Sequence, residues 1–212
     1  MVYKTEKNKT DKSTEEKIKN AARELFLQKG FSSTKTRDIA ERSGINLALL
    51  NYYFRSKKKL FDIIMLETMH GFFESTAVVF NNEKNSLQEK IEIFVASYVD
   101  LLLINPEIPL FIMNELKANP NELMKNVGMK DVIMGSAFFK QFQGEMKKGS
   151  IKNIHPAHFL MNIMGLTVFP FMANPVIKGM TDLSQKEFEK LMRERKALVP
   201  VWIMSILKTN NS

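Results

Sequence analysis

The stretch Thr34–Lys59, TKTRDIAERSGINLALLNYYFRSKKK, gathers the side chains in this sequence best suited to a polyanion. Threonine hydroxyls and Lys or Arg cations match phosphate oxygens. Asn51 carries a donor and an acceptor side by side, which fits the edge of adenine and equally a phosphate. Charge is concentrated in the same region. Residues 1–60 hold 15 Lys and Arg against 7 Asp and Glu, while residues 61–212 hold 16 of each, so the whole formal excess of +8 lies in the first sixty residues. Clustered positive charge is the electrostatic footprint of phosphate binding. Taken alone it also describes a solvated basic surface; its coincidence with this stretch favours nucleic acid.

Other chemistry is poorly represented. The three histidines include His155 and His158, three residues apart, but no carboxylate flanks them and no metal site is expected. No Ser/His/Asp arrangement and no paired carboxylates can be argued, so no enzyme and no cofactor are expected. The absence of cysteine removes disulfides and thiolate metal sites and suits a reducing cytoplasm. The opening MVYKTEKNKTDKST has no apolar run, so a signal peptide is not expected. The uncharged run from Phe159 to Ile177 is broken by Asn162, Pro170, Asn174 and Pro175. These residues need polar partners, so it reads as buried helix and no membrane association is expected.

The elements that position the polyanion-seeking residues are short helices. Ser13 and Glu16 have capping-box spacing, and Ile18, Ala21, Ala22, Leu25 and Phe26 repeat at helical period up to Gly30. Thr34 is the expected N-cap of a second helix carrying Ile39 and Ala40. Gly44 ends it by adopting a left-handed conformation. Asn46 caps a third helix running to Phe54. Two helices joined by a Gly-containing turn form the helix-turn-helix pattern. A fourth helix spans about 57–80, and the polar run 81–85 follows it.

The remainder reads as helix throughout, giving an all-α chain of about nine helices. Ser86 with Glu89 opens a helix bearing Leu87, Ile91, Phe94, Tyr98 and Leu102. Asn105-Pro106 places Pro at the first position of the next. A segment from about 121 to 148 contains Gly128, Gly135 and Gly144, which weaken it as one straight helix. His155-Pro156 opens another helix that Pro170 and Pro175 bend or end. Ser184 with Glu187 opens the last, kinked at Pro200. The expected organisation is a disordered basic arm at 1–12, a helix-turn-helix domain at 13–56 with its motif at about 35–54, a connecting helix at 57–80, and a larger helical domain at 81–212.

Gly30-Phe31, Thr34, Ile39-Ala40, Ser43-Gly44-Ile45-Asn46, Leu50-Asn51-Tyr52-Tyr53-Phe54 and Ser56-Lys57-Lys58-Lys59-Leu60-Phe61 occur in an order and spacing that resembles the N-terminal domain of TetR-family transcriptional regulators. The resemblance covers about residues 14–61. It implies that Asn46, Leu47, Ala48, Asn51 and Tyr52 face the DNA groove. Tyr53 and Lys57 are implied as phosphate contacts, and Thr34, Thr36 and Arg37 as contacts from the second helix. Ile39, Ala40, Leu50 and Phe54 read as core. The family more often has Ser at 46, Tyr at 51 and His at 53, which places the operator preference of this chain at Asn51 and Tyr53.

Residues 61–212 hold 13 of the 14 Met and 13 of the 16 Phe. Met adapts to irregular apolar space and suits either a pocket or an ordinary core. The resemblance implies that 81–212 is a ligand-binding and dimerisation domain taking a small apolar or amphipathic ligand, and Phe94, Tyr98, Met113, Phe138, Phe142, Met164 and Phe169 are the candidate lining. It also implies a homodimer through the helices at 156–173 and 184–208, with Val199, Trp202, Ile203 and Ile206 at the interface or, alternatively, packed inside one chain. The expected function is a cytoplasmic transcriptional regulator binding double-stranded DNA, a repressor released from a palindromic operator by its ligand. A family activator, or a helical ligand-binding or scaffold protein without DNA binding, are the alternatives.

Overall fold

The computed structural model describes residues 2–118, 121 and 129–208. These residues form twelve helices and no strand, beyond an isolated bridge pairing Ile151 with Lys208. In chain order they are α1 (Val2–Ser33), α2 (Thr36–Ser43), α3 (Leu47–Phe54), α4 (Lys57–Asn81), α5 (Leu87–Ile104), α6 (Ile108–Ala118), α7 (Met129–Met134), α8 (Ala137–Lys148), α9 (Pro156–Thr167), α10 (Phe169–Met172), α11 (Asn174–Thr181) and α12 (Gln185–Leu207). The chain divides into two compact units, Met1–Thr68 and Met69–Ser212, and the division falls inside α4.

In the first unit, α1 runs from Val2, where the sequence suggested a disordered arm at 1–12 and a cap at Ser13. No Gly or Pro stands before Gly30, and the Lys-rich start has adequate helix propensity. Gly30, at φ 76°, interrupts the helix, and Phe31 folds back so that its ring lies 4.7 Å from Phe61 and 5.9 Å from Phe26. Ile18, Ile39, Leu50 and Leu60 have no exposed surface and come from four different helices. Each such burial is worth about 1.5–3 kcal/mol. Glu67 on α4 pairs with Lys19, 2.7 Å away, and with Arg23, both on α1.

The second unit is built on α5, whose capping box joins Ser86 to Glu89. Leu87, Ile91, Phe94, Tyr98 and Leu102 are buried as their spacing implies. The helix α12 packs along α5 and buries Val199, Ile203 and Leu207. An aromatic chain crosses this unit: Phe72 lies 4.8 Å from Tyr98, Phe80 is 4.3 Å from Phe138, and Phe142 is 4.5 Å from Phe159.

Segmentation is finer than the sequence implied. Pro106 precedes α6 instead of opening it, because Asn105 to Glu107 form a turn that Ile108 closes with an N–H bond to the Asn105 carbonyl. Gly135 separates α7 from α8, where Ser136 caps the new helix through Phe139 N–H. Gly128 lies outside the described residues. Of the two outcomes expected at Pro170 and Pro175, bend or end, the helix ends: residues 156–181 form three helices, each with Pro in its first turn. Among the described residues α4 alone has, by itself, the length and apolar content of a membrane span.

Candidate nucleic-acid interface and ligand cavities

The turn between α2 and α3 is fixed by three local interactions. Gly44 sits at φ 71°, the Ile45 N–H reaches the Ala40 carbonyl at 3.0 Å, and the Asn46 side chain accepts the Leu49 N–H at 2.8 Å. Leu50 and Phe54 then anchor α3 from beneath. Ala48, Asn51, Tyr52 and Arg55 are exposed at spacings of three, four and seven residues, so they form one outer stripe. Tyr52 is 79% exposed, its ring edge-on to Tyr53 at 5.5 Å. The helix thus sets an exposed aromatic residue beside an exposed amide on its outer face, with Leu50 and Phe54 buried on the other.

Several expected contacts are placed differently. Thr34 is 1% exposed, and its single hydroxyl proton is shared between the carbonyls of Gly30 (2.8 Å) and Leu25 (3.2 Å). It therefore joins α1 to the approach of α2; it is neither a phosphate contact nor the N-cap, which is Lys35. Lys57 gives two of its ammonium protons to the carbonyls of Phe31 (2.7 Å) and Thr34 (2.8 Å) and lies over the Phe31 ring. Its charge closes the end of α1, which leaves one N–H for any phosphate. Thr36 and Leu47 are half-buried, as is Tyr53, while Arg37, Asn46 and Ala48 are exposed. Arg42 is held by Glu24 at 3.0 and 2.6 Å. Arg55, at φ 58° where α3 ends, completes the stripe and was missed in the sequence. Its spacing of four from Asn51 is the signal that would have found it.

The seven candidate lining residues fall into two cavities in the second unit. Phe94, Phe138 and Phe142 line one of about 330 Å³, together with Phe80, Phe159 and Ile163. Its wall is apolar except at His155, whose Nδ1 accepts the Ala157 N–H at the start of α9. Tyr98, Met113, Met164 and Phe169 line another, of about 260 Å³, with Phe169 61% exposed. Burial pushes the Tyr98 phenol far above its usual range, so it stays neutral. Phe80 and Phe159 went unnoticed because they lie on helices distant in sequence. No cluster of three or more His, Asp or Glu residues capable of holding a metal occurs among the described residues.

The candidate dimer residues also divide. Val199 has no exposed surface and Ile203 is buried, so both belong to the core against α5. Trp202, under the Arg195 guanidinium at 5.1 Å, and Ile206 are exposed. Leu198 and Val201 share their face. The sequence shows an apolar helix on both faces and does not distinguish which one meets α5.

Comparison with known proteins agrees with this geometry. The family model "Bacterial regulatory proteins, tetR family" matches residues 18–64, which contain the turn and the whole of α2 and α3. Residues 18–64 are thus a TetR-family DNA-binding domain. With this domain the chain is a DNA-binding transcriptional regulator. It is similar to the "Probable HTH-type transcriptional regulator YttP" of Bacillus subtilis (strain 168), 25% identical over 205 residues that cover 94% of this chain and 96% of that one. A transcriptional regulator of the TetR/AcrR family from Thermobifida fusca YX-ER1 has the same fold, with a TM-score of 0.65 at 17% identity over 88% of this chain and 96% of that one. So does the transcriptional regulator FadR from Bacillus subtilis in complex with stearoyl-CoA, with a TM-score of 0.56 at 19% identity over 86% and 96%. These likenesses carry the family's two-part helical plan.

Proposed function

We propose that this TetR-family regulator is a repressor that binds a palindromic operator as a homodimer and leaves it when an amphipathic ligand fills the aromatic cavity. The exposed stripe Ala48, Asn51, Tyr52 and Arg55 carries the reading. In a helix-turn-helix protein the second helix reads the major groove, and two heads are needed about 34–36 Å apart. The face bearing Leu198, Val201, Trp202 and Ile206 supplies the apolar surface a partner copy would cover. Thr36 and Arg37 remain the proposed contacts from α2.

The ligand class follows from the cavity wall. Phe80, Phe94, Phe138, Phe142 and Phe159 offer dispersion contacts to an acyl chain or an aromatic body. The FadR structure from Bacillus subtilis is a complex with stearoyl-CoA, which supports an acyl compound as the ligand class to test. Phe80 lies near the end of α4, an uninterrupted helix that begins at Lys57. A ligand that moved Phe80 would act on that helix, provided it bound two states with different affinity.

The test is fluorescence anisotropy with DNA from upstream of its own gene, at several salt concentrations, with stearoyl-CoA and lauric acid added separately. Specific binding that is lost on Asn51→Ala or Tyr52→Ala is expected, with release by at least one acyl compound. Specific binding that ignores both substitutions would overturn the proposed reading face. Binding insensitive to every acyl compound would overturn the ligand class.

A further inference from the structure

Apart from the aromatic cavity, the second unit holds a buried lysine with no carboxylate bonded to it among the described residues. Lys90 on α5 is 1% exposed. Its Nζ donates to Oε1 of Gln141 on α8 at 3.0 Å, its single hydrogen-bond acceptor among the described residues. The Gln141 amide in turn donates to the Asn85 carbonyl at 3.4 Å. An ammonium has three N–H donors, so two of them face no acceptor among the described residues. Burial holds the Lys90 amine below its usual range, with Glu83 pulling it the other way.

A cleft of about 400 Å³ opens beside this side chain, and Glu83, Lys140, Gln141, Glu145 and Lys148 complete its polar wall. Glu145 is committed to Lys148 at 3.2 Å, which leaves Lys140 without an ion pair among the described residues. The three lysines outnumber the two glutamates. Gly144 lies along the same wall, and a Cβ there would meet nothing within 4 Å, so the floor is open. The two sides of α8 are thus different: Phe138 and Phe142 face the aromatic cavity, while Lys140, Gln141 and Lys148 face this cleft.

We propose that the cleft between α5 and α8 is an oxyanion site, with the Lys90 ammonium at its base and Lys140 at its rim. The ligand group is a phosphate or carboxylate, either free or as the head of an amphiphile. Such a group supplies the acceptors that the two idle Lys90 protons lack and offsets a charge otherwise held away from water. Lysines act here as point charges, so the site selects charge over shape. The proposal is independent of the operator and of the effector role of the aromatic cavity.

The experiment is a titration of the full chain with inorganic phosphate at constant ionic strength, followed by calorimetry and by the lysine Nζ proton–nitrogen NMR signals. One saturable site is expected, with the Lys90 signal shifted, and affinity at least tenfold weaker in Lys90→Met. The head also offers phosphate contacts, so the Arg37→Ala/Arg55→Ala variant is the control and retains this site. Non-saturable binding, or equal affinity in Lys90→Met, would overturn the proposal. Should Lys90→Met fail to fold, Lys140→Gln/Lys148→Gln alters only exposed side chains. A threefold or greater loss there supports the site and unchanged affinity overturns it. A second arm uses n-octyl phosphate: affinity tenfold tighter than phosphate assigns the site to an amphiphile head, and equal affinity assigns it to a free anion.

Discussion

The rings of Phe80 and Phe138 lie 4.3 Å apart and within 14° of parallel, joining the last turn of α4 to the first turn of α8. A second link accompanies the stack, the Asn81 Oδ1 accepting the Ala137 N–H at 3.0 Å. Both rings also line the aromatic cavity. Phe138→Ala should therefore destabilise the protein by about 3–5 kcal/mol and enlarge the cavity. Urea unfolding followed by circular dichroism measures the first effect. Binding of an apolar dye, expected to change in the same variant, measures the second.

On α3, Asn51→Ala and Tyr52→Ala should leave stability within about 0.5 kcal/mol, since both side chains are exposed. Loss of operator affinity is expected at about 1–3 kcal/mol for a base-reading residue. Arg55→Ala should instead weaken binding evenly across sequences and lower the salt slope by about 1. Anisotropy titrations at three salt concentrations separate the two kinds of contact.

Lys57→Met tests a structural role where a phosphate contact was expected. Two carbonyls, those of Phe31 and Thr34, lose their donor. Each buried acceptor left unsatisfied costs about 1–3 kcal/mol, so a clear fall in melting temperature should accompany any fall in DNA affinity. A variant with normal stability and reduced affinity would return Lys57 to the phosphate contacts alone.

The face of α12 gives two opposed substitutions. Val201→Glu, at an exposed position, should shift sedimentation toward monomer with the fold intact. Val199→Ala, at a fully buried position, should cost roughly 1–3 kcal/mol of stability and leave the oligomeric state unchanged at equal folded fraction.

The start of α12 carries a pH dependence. The Ser184 hydroxyl, followed by its backbone N–H, holds the Glu187 carboxylate below its ordinary value of 4.5. A depressed folded-state value means that the stabilisation is present above about pH 4.5 and is lost as pH falls through the folded value. Glu187→Gln should flatten the stability profile below pH 4.5, read by thermal melts between pH 3 and 7.

The local signals of the head were legible because they are short-range. Gly44, Asn46, and the Leu50–Phe54 pair act within one or two helical turns, so spacing alone located the turn, the cap and the buried face. Ser86 with Glu89 and Ser184 with Glu187 were readable for the same reason. Thr34 and Lys57 show the limit. Both have side chains that suit phosphate, yet Thr34 turns toward the carbonyls of Leu25 and Gly30, and Lys57 toward that of Phe31. Gly30 is only four residues from Thr34, but Leu25 lies 9 residues from Thr34 and Phe31 lies 26 from Lys57, beyond any periodic pattern.

The sequence by itself determined an all-α chain with a basic helix-turn-helix head, because helix period, caps and charge distribution are properties of neighbouring residues. Only the tertiary structure decided which apolar face of α12 is core, how the seven lining candidates divide between two cavities, and that Lys90 is buried beside a cleft. Each depends on which helices pack together, and that choice is made by side chains far apart in the chain.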